Sequence, residues 1–100
     1  EAADEVINDR DRAKQVIAIT KEADEALESF SEDLDVLADQ YVELNANYNV
    51  TREEMYALSA ETQKRRKDFF DQIVGMRFDL QGHVTEEEFE EMAKLRKELI

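Results

Sequence analysis

Cysteine, proline and tryptophan are absent from this 100-residue chain, and glycine occurs only at Gly75 and Gly82. So little proline and glycine leaves almost nothing from which to punctuate strands and tight turns. The lack of cysteine excludes a disulfide framework, though it fits a reducing or an oxidising compartment equally well. Histidine is confined to His83. With Ser29, Ser31 and Ser59 all in helical context, a nucleophilic triad has nothing to stand on, and no enzyme is expected. Positive charge is scarce as well. Residues 1–50 hold 14 acids against 4 bases, residues 51–100 hold 12 against 9, and no base occurs from Glu22 to Thr51. Phosphate binding needs clustered cations, so a nucleic-acid partner is excluded and an anionic membrane surface is disfavoured. No apolar run approaches the roughly 18 residues of a membrane span, so no membrane insertion is expected. No signal peptide is read, and a start at Glu1 rather than Met predicts a processed product.

What remains is rich in Glu, Lys, Arg, Ala and Leu, the composition of long helices and coiled coils. The expected fold is all-α. Ala23, Leu27, Phe30, Leu34, Leu37, Tyr41, Leu44 and Tyr48 step by alternating fours and threes, an unbroken heptad seam. It extends back more weakly through Thr20, Val16, Ala13, Asp9, Val6 and Ala2, which predicts one helix over residues 2–47. Ser29 and Ser31 flank Phe30 and mark the place where such a helix would kink.

The asparagine-rich run 45–49 ends that helix. Two copies of one phrase follow, Val-Thr-x-Glu-Glu and then a large apolar residue. In the first, Thr51 is the N-cap, Glu54 closes a capping box, and Val50 and Met55 form a hydrophobic staple. In the second the same parts fall to Thr85, Glu88, Val84 and Phe89. The predicted helices are therefore 52–81 and 86–100. The former buries Met55, Leu58, Thr62, Phe69, Ile73, Met76 and Leu80; the latter buries Phe89, Met92, Ala93, Leu95 or Arg96, Leu99 and Ile100. Gly75 inside the second helix marks a bend or a close backbone approach, and Gly82 supplies its stop. The expectation is a single domain, residues 1–100, in which the long first helix packs antiparallel against two shorter ones as an elongated hairpin. So thin a body leaves apolar surface uncovered, and self-association as a homodimer is the natural remedy.

Val84-Thr85-Glu86-Glu87-Glu88 resembles the Leu-Thr-x-x-Gln motif of the periplasmic Spy/CpxP family, with Val for Leu and Glu for Gln. The amphipathic helix before it, carrying Phe78 and Leu80, is similar too, and the likeness is best over residues 50–100. The resemblance implies an ATP-independent chaperone or envelope-stress protein of the periplasm, dimeric, without catalytic apparatus, holding unfolded or partner polypeptides on a concave amphipathic face. Neither copy of the phrase carries the family's glutamine. This chain is also strongly acidic where the family's cradle is basic or mixed, which shifts the expected clients towards cationic chains.

No Glu-x-x-His pair or EF-hand loop is present, so neither a metal nor a cofactor is expected, although Glu86–Glu88, Glu90 and Glu91 form a dense acidic group beside His83. The basic run 64–67 interrupts the seam of the second helix, placing Arg65 or Arg66 against the acidic first helix. Tyr41, Tyr48, Tyr56, Phe69, Phe70 and Phe78 read mostly as core. Off the seams lie Ile17, Ile19, Phe70 and Val74, the expected binding residues for a client or a second copy. Two other readings stand beside the chaperone: a structural or adaptor coiled-coil module with one dedicated partner, and a carboxylate-rich cation-binding protein.

Overall fold

A computed structural model describes residues 2–99 of the chain. Ile100 and the side chains of Ala2, Arg96 and Leu99, on which expectations were placed, lie outside the described residues. The fold is all-helical, with α1 Ala2–Val6, α2 Arg10–Ala46, α3 Arg52–Gln81 and α4 Glu86–Leu99. The single helix expected over 2–47 is thus two. Asp9 does not continue the seam but caps α2, its Oδ1 accepting from the Asp11 and Arg12 amides at 2.9 and 3.2 Å. A short carboxylate that satisfies two otherwise free N–H groups stabilises a helix start more than it stabilises a helix interior. Through Ser29 and Ser31, by contrast, α2 runs without interruption.

Two compact units make up the chain, one of Glu1–Asp24 with Ile73–Ile100 and the other of Glu25–Gln72. In the first, α1 packs on α4. Its buried cluster is Ala3, Ile7, Ala13, Val16 and Met92, with Val6, Ile17, Leu80, Val84 and Leu95 packed against it. Two of the five buried residues are alanines, which carry nothing beyond Cβ and let neighbouring elements come close. Ala93, expected inside, is exposed.

In the second unit α2 and α3 form an antiparallel hairpin. Phe30 stacks on Phe69, with ring centroids 4.3 Å apart and planes 2° from parallel. One turn on, Arg65 Nη1 donates to Asp33 Oδ2 at 2.9 Å, and its Nε donates to Glu61 at 2.9 Å. The turn is closed by Asn47, whose Oδ1 accepts from the Asn49 amide at 3.0 Å. All seven apolar positions expected on α3 are half-buried, yet no residue described on that helix is fully buried. Within this unit only Leu37 is. Two helices alone cannot enclose a seam on all sides, so the periodicity is realised without the depth. Tyr41, Tyr48, Tyr56, Phe70 and Phe78 are exposed rather than core, Tyr48 almost completely, and Leu27 on the seam is exposed too. Gly75 is not a close approach: a Cβ there would meet nothing within 4 Å.

Candidate functional site

The Glu25–Gln72 hairpin has two unlike grooves. One is lined by Ser29, Asp33, Glu61, Lys64, Arg65 and Asp68 around the Phe30–Phe69 stack. The Arg65 ion pairs to Asp33 and Glu61 run across it. The other, of about 740 Å³, is built on Leu34, Leu37, Ala38, Tyr41, Met55 and Leu58, with Val42 and Tyr56 on its rims and Arg66 its one charged lining residue. Here the apolar side chains stay open: Tyr41 is 52% exposed, Val42 64% and Tyr56 68%. Open apolar surface of this kind, with tyrosines at its edge, is what binding surfaces for polypeptide are made from.

Local sequence explains the position of each wall. On α2, Glu28, Glu32, Asp35 and Asp39 follow one another at four- and three-residue spacing on the flank beside Ala38 and Val42, all of them exposed. On α3, Arg52, Tyr56, Ser59, Gln63, Arg66 and Phe70 share the outer flank by the same spacing. The start of α3 is set by Thr51, whose Oγ1 accepts from the Glu54 amide at 3.1 Å. Glu54 does not reach back to the backbone; it accepts from the Thr51 hydroxyl instead. Val50 and Met55 line one small groove together with Arg52 and Tyr56.

The second copy of the phrase serves a different end. Thr85 Oγ1 accepts from the Glu88 amide at 3.1 Å and Glu88 Oε1 accepts from the Thr85 amide at 2.9 Å, a complete capping box. Glu88 also receives a two-pronged hydrogen bond from Arg12, at 2.7 and 3.1 Å, while Arg12 Nη1 donates to the His83 carbonyl at 3.2 Å. The Arg12 hydrogen bonds above all, with the Thr85 amide, hold the Glu88 carboxyl down to about 2. Arg12 thereby ties the first turn of α2 to the first turn of α4, and the sequence reading had assigned it no part. His83 sits half-buried in the turn, its Nε2 3.7 Å from Asp79. Val84 packs against the buried cluster, and Phe89 lies under the Arg77 guanidinium at 5.0 Å.

Of the four expected binding residues, Ile17 packs against the buried cluster and Ile19 is half-buried. Phe70 is 66% exposed and Val74 36%. Phe70 alone shares the outer flank of the Tyr56 rim; the other three belong to the first unit. The groove residues Tyr41, Val42 and Tyr56 were not among those expected. Val42 was findable, since it adds a second apolar position beside the seam at Tyr41. Among the described residues no helix is long and apolar enough to cross a membrane, and no group of three metal-ligating side chains converges. No family model, curated protein or solved structure matches the chain.

Proposed function

We propose that this chain is an ATP-independent holding protein of the periplasmic chaperone and envelope-stress type, which binds unfolded or partner polypeptides in the apolar groove of the α2–α3 hairpin. The observation that carries this reading is the trio Tyr41, Val42 and Tyr56, more than half exposed around a groove floored by Leu34, Leu37 and Leu58. Rings and branched aliphatics held open on rigid helices contact extended or helical chains without first having to order themselves. The acidic flank of α2 supplies long-range attraction for cationic clients. The likeness of Val84–Glu88 to the Leu-Thr-x-x-Gln motif supports the compartment.

The test is suppression of aggregation of a reduced, unfolding client without ATP, at low and high salt. Suppression near equimolar protein is expected, weaker at high salt, and lost in Tyr41→Lys/Tyr56→Lys with helicity retained. No suppression at several-fold excess contradicts the proposal.

A further inference from the structure

We infer that the resting occupant of the apolar groove is a second copy of the same hairpin, packed in parallel about a two-fold axis that runs along the helices, so that α2 of each copy lies over α3 of the other. This rests on the groove reading above and names what fills the groove when no client is present. The first argument is charge. The α2 wall carries Glu28, Glu32, Asp35 and Asp39 and no base, while the charges on the α3 outer flank from Arg52 to Arg66 are those two arginines. Among the described residues none of Asp35, Asp39, Arg52 and Arg66 enters an ion pair within the chain. Lys67 and Arg65, the cations of α3 that do, are bound to Asp71, Asp33 and Glu61.

A face with one acidic and one basic wall is self-complementary under only one kind of two-fold. Rotation about an axis along the helices sets the acid wall of each copy against the basic wall of the other. Rotation about an axis across the helices sets acid on acid. An isologous contact must satisfy both halves at once, and the first arrangement does so.

The second argument is the seam. The α2 heptads run unbroken from Ala23 to Leu44, yet in this unit only Leu37 is buried. Four helices enclose such a seam and two do not. The polar groove on the other side of the hairpin is already spanned by the Arg65 ion pairs, so the tyrosine-rimmed face is the one left for a second hairpin. A client then competes with the second copy, and suppression per chain rises as the protein is diluted through its dimer dissociation constant.

Sedimentation velocity over a concentration series tests the arrangement, with far-UV circular dichroism as the check on folding. Changing Glu28, Glu32, Asp35 and Asp39 together to Lys makes both walls basic, and Arg52→Glu/Arg66→Glu makes both acidic. Each is expected to weaken self-association by about tenfold or more, since like charges then face each other where Arg66 of one copy meets Glu32 and Asp35 of the other. An equimolar mixture of the two variants is expected to regain it as a heterodimer, and so is the chain carrying all six changes. Because the wild type has no cysteine, Val42→Cys and Tyr56→Cys chains give a second, charge-independent reading. The two should crosslink to each other on mixing and each far less to itself. A wild type that stays monomeric throughout, or both charge variants associating as the wild type does, overturns the inference. Aggregation suppression by a chain that stays monomeric overturns the second copy while leaving the groove reading intact; dimers that obey the charge swap but suppress nothing do the reverse.

Discussion

The two units spend similar residues in opposite ways. The unit that holds α1 and α4 closes on small and aliphatic side chains, Ala3, Ile7, Ala13, Val16 and Met92, and fastens the joint with Arg12 and Glu88. The hairpin holds larger side chains, several of them aromatic, and encloses one residue, Leu37. The number of elements that converge explains the difference. Small residues let several elements converge on a point, whereas rings on two helices prop open the sides of the seam they line. The closed unit encloses an apolar cluster and the open one leaves most of its apolar side chains exposed.

The sharpest way to break this contrast is to place a carboxylate in each. Val16→Asp puts an unpaired charge where the wild-type side chain is fully buried, and the first unit is expected to lose its cooperative melting transition. Val42→Asp, at a position 64% exposed, should change the stability of the monomeric chain by no more than about 0.5 kcal/mol while abolishing client suppression. Equal stability losses in the two variants would show the hairpin face to be core.

Acid should separate the units next. The Glu88 carboxyl is held at about 2 in the folded chain against an ordinary 4.5, so it binds its proton less readily folded than unfolded. Its contribution is present in full above about 4.5 and drains away as pH falls towards about 2. Denaturant melts followed from pH 6 to 2 should show this loss in the first unit, and Arg12→Ala should flatten it. An unchanged pH profile in Arg12→Ala would mean that the ion pair is idle.

The helix caps give a smaller and more even effect. Thr51→Ala and Thr85→Ala each remove one side-chain acceptor for an N-terminal amide, and each should cost about 1 kcal/mol in chemical denaturation. Suppression should fall with stability in both; suppression lost at unchanged stability would assign the threonine a direct contact. Smallest is Gly75→Ala, which meets open space on a helical backbone and should stabilise by about 0.5–1 kcal/mol. Destabilisation there would reveal a contact that the wild-type glycine makes room for.

Period was legible in the sequence and depth was not. The α3 positions from Met55 to Leu80 fall inward as their spacing requires, because a helix fixes which residues share a face. How far inward depends on how many other elements arrive, and spacing carries no such information; hence Tyr41 and Tyr56 read as core and stand open. The break before Arg10 was missed because Asp9 falls on the heptad, although Asn8-Asp9 ahead of a polar first turn is itself a start signal. Arg12 could not have been paired with Glu88 by spacing, since the two lie 76 residues apart and only the fold brings them together. Both capping phrases were legible because capping is local. What the second one does beyond capping, anchoring α2, was not.

The central claim is that polypeptide binds the open hairpin and leaves the closed unit alone. Hydrogen–deuterium exchange of the chain, diluted below its dimer dissociation constant, with and without an unfolded client, tests it most directly. The account predicts added protection over residues 34–42 and 55–66, with no change at residues 13–16 or around Met92. Protection confined to the first unit, or no protection in the hairpin at client concentrations that suppress aggregation, would contradict it.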